Sequence, residues 1–331
     1  MPVALRIAII DKGGGLLTWH LDLAEGFRRC GALVLPLYLR ASTWAEFVAK
    51  RRSGASHEAN PSTQIRIAHE LSAFQPNLII VLNLTGLPGA AVQLWRDAIP
   101  RGTAIVGWLC DRGDSLPPGY SPGFDGLYYF DTSDRAGLAA EYASTAARLA
   151  HLPLAVNPDR FPLCTTPTAA RRPVLVFAGN CTAQRREAIA RLQAAGEPVE
   201  SYGPNSGHRF RFWRNRRYSQ SHLARLYGSH LACLNLLQSG NTHNGLNLRA
   251  FEIPCAGGLG TYPDVPDLPA CFEPGREILV YHRLEELPEI MARLRREPGT
   301  ADAMIAASRK RALSEHTYVH RAARMLHDFA S

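Results

Sequence analysis

The stretch "PVLVFAGN" (173–180), followed by "AQRREAIARLQAAG" (183–196), sets the fold. Val174 to Ala178 form an apolar run with β-branched and aromatic members, which reads as a buried strand. Gly179 and Asn180 make a small polar turn, and the charged, alanine-rich segment after them reads as a helix stopped at Gly196. Strand, glycine turn and helix in that order open a βαβ unit, whose next strand lies parallel to the first. Further strands are expected at "EPVESYG" (197–203), "HLACLNLL" (230–237) and "GREILVY" (275–281), with a helix at "RLEELPEIMARLRRE" (283–297).

The same alternation runs upstream. "ALRIAII" (4–10) reads as a strand, "HLDLAEGFRRCG" (20–31) as a helix ending at Gly31, and "ALVLPLYL" (32–39) as the next strand. "PNLIIVLN" (76–83), "GTAIVGWL" (102–109) and "FDGLYYF" (124–130) continue the series, with helical patterns between most of them. The polar stretch "KRRSGASHEANPST" (50–63) reads as an exposed insertion, and the proline-rich "PLAVNPDRFPLCTTPTAARRP" (153–173) as a linker. The expected fold class is therefore α/β, with two Rossmann-like domains whose parallel sheets face a central cleft. Their boundaries are expected at 1–155 and 173–315, joined by 156–172. In such sheets ligands gather beyond the carboxyl ends of the strands.

The 331 residues suffice for two domains, and 46% hydrophobic with 20% charged residues is a globular composition. No apolar run reaches the ~18 residues of a membrane span. The N-terminus "MPVALRIAIIDKGGG" lacks the basic region of a signal peptide. Seven scattered cysteines without a C-x-x-C pattern suit reduced thiols, so a cytoplasmic location is expected. The formal net charge of +8 is uneven, because "HRFRFWRNRRY" (208–218) holds five arginines among aromatics. That run can grip phosphates, nucleic acid or another anionic surface; the alternative is a solvated basic loop.

The stretch "HNGLNLRAFEIPCAGGLGTY" (243–262) crowds Asn247, Arg249 and Glu252 into the start of a segment that otherwise reads as a buried helix. With Asn247 near the N-cap, Arg249 and Glu252 share one face while Leu248, Phe251 and Cys255 point to the core. A carboxylate so placed can accept both hydroxyls of a ribose, and the N–H groups of a helix start can hold phosphate oxygens. The alternative is a plain Arg249–Glu252 helix pair, worth a few tenths of a kcal/mol. Pro254 removes one hydrogen bond from that helix, which must start later or bend.

In order along the chain, "FAGN" with Arg186 nearby, "SYG", "LNLL", "NLRAFEIPCAGG", "CFEPGREILVY", "LEEL" and "EHTYVHRAARML" resemble the CgeB-like glycosyltransferases, relatives of the GT-B group. The resemblance covers roughly 173–327 and is carried by N-x-R-x-F-E together with H-T-Y-x-x-R. Over 1–155 it is topological, with "WLCDRGD" and "LPLAVNPDRF" at comparable places. It implies a GT-B fold, with the C-terminal helix (about 316–331) crossing back to the first domain. It also implies transfer of a sugar from a nucleoside-diphosphate sugar (UDP-, GDP- or dTDP-linked) to an acceptor bound by the first domain.

Position by position, the resemblance makes Glu252 the ribose carboxylate, the second of two glutamates eight positions apart. The first falls on Asn244, a departure that bears on recognition of the donor sugar. Gly179 and Asn180 match the turn that approaches the diphosphate, Asn247 belongs to the same donor set, and Arg249 is the charge that neutralises the leaving group. Gly14 and Gly15, in a loop that does not fit G-x-G-x-x-G, become cleft residues. His316 and Tyr318 become packing or cleft-lining residues; "EHTYVH" is not H-E-x-x-H and has no third ligand.

Several assignments stay open in the sequence. No D-x-D is present, since Asp131 and Asp134 and likewise Asp111 and Asp114 are three apart, so no metal is expected. An inverting transfer needs a general base from the first half, Asp111 or His20, either of which can equally be a cap or a surface residue; a retaining transfer needs none. Arg214, Arg216 and Arg217 are candidate contacts for an anionic acceptor. The rival function is a non-catalytic protein binding nucleic acid or another anion on the same shell, which the intact Asn247–Arg249–Glu252 set disfavours. An epimerase would need paired carboxylates, and none is evident.

Overall fold

The computed structural model describes residues 4–11, 19–39, 60–82, 87, 89–110, 123–206, 219–238 and 240–330. The chain divides into two compact units, Met1–Pro153 with Tyr318–Ser331, and Leu154–Thr317.

Unit 1 is wound from β1 (Arg6–Asp11), α1 (Trp19–Arg29), β2 (Leu33–Tyr38), α2 (Pro61–Phe74), β3 (Leu78–Leu82), α3 (Gly89–Ala98), β4 (Ala104–Leu109), β5 (Gly126–Tyr129), α4 (Arg135–Glu141) and β6 (Arg148–His151). The sheet order is β2-β1-β3-β4-β5-β6, and every pairing is parallel, with Ile9 opposite both Pro36 and Ile80. The "LIIVL" of β3 is buried throughout, as a strand covered on both faces requires. Ile10, Ile79, Val81, Ile105 and Leu109 form one core layer with Leu71 of α2 and Trp95 of α3.

The end of the supposed insertion is a helix start. Asn60 caps α2 by accepting from Ser62 N at 3.1 Å, and Pro61 fills the first helical turn, where its missing N–H costs nothing. Residues 50–59 of that stretch lie outside the described residues.

The chain's last helix, α11 (Tyr318–Phe329), belongs to unit 1 and packs on α1, in agreement with the expected crossing back. Gly26 makes the close crossing possible: a Cβ there would stand 2.4 Å from Tyr318 O.

Unit 2 repeats the plan with β7 (Arg172–Ala178), α5 (Ala183–Ala194), β8 (Val199–Tyr202), α6 (Gln220–Ser229), β9 (His230–Leu234), α7 (Arg249–Cys255), β10 (Gly260–Pro263), α8 (Leu268–Cys271), β11 (Leu279–Tyr281), α9 (Leu287–Arg296) and α10 (Thr300–Glu315). Its sheet runs β11-β10-β9-β7-β8, all parallel. Leu175 and Phe177 of β7 pack with Leu231 and Leu234 of β9, Ile189 and Leu192 of α5, and Leu287 and Met291 of α9. The proline-rich segment packs within this unit: Val156 bridges Thr317, Phe161 is buried, and Cys164 N donates to Ala256 O at 3.0 Å.

The proline in α7 is accommodated at both ends. The helix starts at Arg249, so Pro254 leaves only Ala250 O without its helical donor, and Tyr262 Oη donates to that oxygen at 3.3 Å. The helix then closes with Gly258 N on Ile253 O and Gly257 N on Pro254 O, both at 2.9 Å, while Gly257 takes φ +78°. The "AGG" of the quoted stretch is this stop signal.

Candidate functional site

The best-formed candidate lies at the carboxyl ends of β7 and β9 in unit 2. Arg249, the first residue of α7, reaches across both strand ends. Its Nη1 donates to Ala178 O at 3.4 Å, its Nη2 to Leu236 O at 3.1 Å and its Nε to Asn235 Oδ1 at 3.3 Å. The guanidinium lies 5.2 Å from the centroid of the buried Phe177 ring. Gly179 is what admits it, because a Cβ at that position would stand 2.6 Å from Arg249 Nη1. The turn is braced by Gly203, whose own missing Cβ would meet Gly179 O at 2.3 Å, and by Gly179 N donating to Tyr202 O at 2.9 Å. Asn180, exposed beside it, accepts from Asn205 Nδ2 at 3.0 Å.

A second guanidinium stands with the first. Arg185 of α5 is only 8% exposed, and its Nε donates at 3.2 Å to Leu236 O, the same carbonyl that Arg249 uses. Its Nη1 donates to Asn180 O at 3.0 Å, and its guanidinium carbon lies 5.7 Å from the Phe177 ring centroid. Burial and the nearby Arg249 charge push Arg185 down to about 9, with Cys181 acting the other way. It is still a cation at neutral pH. Among the described residues neither arginine meets a carboxylate; their partners are carbonyls and one amide. One buried and one half-buried positive group, with no counter-charge among the described residues, suit an anion.

Sequence reading fastened on Arg186, which is exposed and bonds Cys181 O at 2.6 Å. The signal for Arg185 was its place four and seven residues before Ile189 and Leu192, the buried stripe of α5.

Arg249 makes no bond to Glu252, so the plain helix pair does not form. Glu252 is half-buried and accepts from the buried Tyr227 Oη at 3.4 Å; burial first, then the Glu252 charge, push that phenol well up. The N-cap is Leu248, not Asn247. The N–H groups of Ala250, Phe251 and Glu252 turn back onto Asn247 O and Leu248 O at 2.9–3.0 Å. These donors are therefore committed, and the charge offered to an anion comes from guanidinium groups. Asn247 donates through Nδ2 to Asn235 Oδ1 at 2.8 Å. Asn244 is half-buried, and its backbone oxygen accepts from Asp267 N at 3.1 Å.

In unit 1, His20 lies on the first turn of α1 with Nδ1 3.1 Å from Asp11 Oδ2, at the carboxyl end of β1, and edge-on to Tyr38. That approach is close but poorly directed, since Nδ1 makes no well-aligned hydrogen bond. His316 is a packing residue: its Nε2 lies 2.9 Å from Cys271 O and its ring sits between Phe251 and Phe272. Tyr318 is buried edge-on to Trp108. Asp111, Gly14, Gly15, Arg214, Arg216 and Arg217 lie outside the described residues. Among the described residues no cluster of three potential metal ligands occurs, and no helix is long and apolar enough to cross a membrane.

Residues 183–327 match the model of a family described as glycosyl transferase-like. Among solved structures, a glycosyltransferase from Rickettsia africae is similar with a TM-score of 0.69, at 10% identity over 98% of each chain. HepE of Anabaena, in complex with UDP, gives 0.67 at 9% identity over 98% of this chain and 100% of that one. Sucrose-phosphate synthase from Thermosynechococcus elongatus gives 0.63 at 13% identity over 98% of each. No curated protein matches the chain.

Proposed function

From a chain that carries a glycosyltransferase-family domain on a GT-B fold, we propose a metal-independent enzyme that moves a sugar from a nucleoside-diphosphate sugar to an acceptor. The observation that carries this reading is the pair Arg185 and Arg249, two cations on one aromatic ring with only neutral partners.

In the reaction the bond between the anomeric carbon and the diphosphate oxygen breaks, and its electron pair leaves with the nucleoside diphosphate. Negative charge therefore grows where the two guanidinium groups stand, and cations already fixed in a partly buried site lower that barrier by several kcal/mol. The Gly179–Asn180 turn brings backbone close to the diphosphate. Glu252 accepts from the ribose hydroxyls. Asn244 and Asn247 belong with the sugar. Unit 1 takes the acceptor, with Gly14 and Gly15 as candidate contacts, and Arg214, Arg216 and Arg217 attract an acceptor that bears negative charge. For an inverting transfer the base is Asp111 or His20. On its motifs the chain belongs beside the CgeB-like type, and its seven free thiols suit the cytoplasm.

HepE has been solved with UDP and with UDP-glucose, which makes the uridine series the first to try. The test is calorimetry with UDP, GDP, dTDP and their sugars on wild type and Glu252→Ala. Binding of one diphosphate, weakened at least tenfold in the variant, is the expected result. Absence of any nucleotide binding, with steeply salt-dependent binding of RNA or DNA instead, would replace this reading by the nucleic-acid one.

A further inference from the structure

Two buried polar atoms beside the guanidinium pair have no partner. Asn235 follows β9, is wholly buried, and accepts through Oδ1 from Asn247 Nδ2 at 2.8 Å and from Arg249 Nε at 3.3 Å. An arginine can only donate, so the accepting atom is the amide oxygen and the orientation of Asn235 is fixed. Asn235 Nδ2 and Asn247 Oδ1 are then left over, a donor and an acceptor, each shut from water and without a hydrogen bond. Asn247 as a residue is half-buried, while Asn235 is wholly buried. Buried amide groups are rarely left this way, because each loses its bond to water and gains none.

The chemistry of the leftover pair selects its ligand. A carboxylate would suit the donor and be repelled by the acceptor, and an ammonium group would do the reverse. A hydroxyl satisfies both, accepting from Nδ2 and donating to Oδ1. We infer that Asn235 and Asn247 together read one free hydroxyl of the sugar being transferred, and so take over the recognition that a glutamate at position 244 would have supplied. This rests on the donor site proposed above. Asn235 is also the positioning residue of that site, since one oxygen holds both Asn247 and Arg249. The sugar it implies is neutral and hydroxylated at the position read, neither deoxygenated nor carboxylated there.

Asn235→Asp tests the claim with almost no change of shape. It keeps an oxygen for Asn247 and Arg249 and turns the leftover donor into an acceptor. It also sets a negative charge beside Arg249, so each protein is judged by the ratio between ligands and not by its absolute affinity. Asn247→Ala removes the leftover acceptor, and thermal melting of both proteins checks that they fold. UDP, GDP and dTDP with their glucose conjugates are first measured by calorimetry on wild type. The 2-, 3-, 4- and 6-deoxyglucose analogues of the nucleotide that binds are then compared with the parent on all three proteins.

The expected result is that one deoxy analogue binds wild type on the order of tenfold more weakly than its parent, that this ratio falls toward one in Asn247→Ala and changes at that same position alone in Asn235→Asp, and that the other three ratios stay. A purely structural role for the asparagines would move all ligands alike. Ratios that are unchanged in the variants, or no discrimination at any position in wild type, would overturn the inference and leave the two atoms to a buried water. Failure of every nucleoside diphosphate to bind wild type would instead bring down the donor reading, and this inference with it.

Discussion

Asp328 in unit 1 and Arg185 in unit 2 are both charges held out of water, and they are built in opposite ways. Asp328 collects partners: Tyr128 Oη and Arg324 Nε at 2.7 Å, Arg148 Nη2 at 3.1 Å and His327 Nδ1 at 3.2 Å. Burial pushes its carboxyl up, but the bonds from Arg324, Tyr128 and His327 outweigh that and hold it at about 2. Arg185 has carbonyls only, and both burial and its neighbour Arg249 disfavour its charge. One charge is favoured by the folded chain and the other is disfavoured. A cluster of the first kind fastens the last turn of α11 to β5; a cluster of the second kind is the one we propose an anion from outside completes.

The contrast can be broken most severely at the arginines. Arg249→Ala and Arg185→Ala should each lower kcat by roughly 10²–10³-fold, the scale of losing one preorganised stabilising group, with melting temperature nearly unchanged. A large loss of stability with turnover intact would make them structural. Gly179→Ala should come next. Its methyl would push on Arg249 Nη1, and diphosphate affinity should fall about tenfold in a protein that still folds.

Asp328→Asn should do the reverse and cost about 2 kcal/mol of stability by thermal or denaturant unfolding, with donor affinity unchanged. The smallest effect is on the acid limb. Because the folded value of Asp328 lies below its unfolded one, its contribution is complete above about pH 4 and disappears as pH falls toward 2. The stability of Asp328→Asn should therefore converge on wild type across that window. A constant difference down to pH 2 would assign the loss to packing.

Much of the fold was legible in the sequence. Runs such as "LIIVL" and "VLVFA" are fully apolar because helices cover both faces of a parallel sheet, so they stand out without any partner being known. Chain ends of helices were harder. "NPS" is a cap followed by a first-turn proline, and Pro254 is tolerated because Tyr262, eight residues on, supplies the missing donor. In the candidate site, the side chains that the structure brings together were legible where the contact is short in sequence or marked by a glycine, as at Arg249 and Gly179. The site was hidden where tertiary structure assembles it: nothing near Asn235 in sequence shows that Arg249 and Asn247 will share its oxygen. Arg185 was within reach, since it lies on the buried stripe of α5, yet the same pattern read as charge alone made its neighbour Arg186 the more visible of the two.

Arg185 and Arg249 have only neutral partners among the described residues, and the diphosphate is the ligand we propose for them. The most direct test of that proposal is calorimetric titration of UDP, GDP and dTDP into wild type and Arg185→Met, with melting curves of both proteins alone. Binding to wild type is expected, weakened at least a hundredfold in the variant, with the ligand-free variant melting within a few degrees of wild type. Equal binding by both proteins, or collapse of the ligand-free variant, would contradict it.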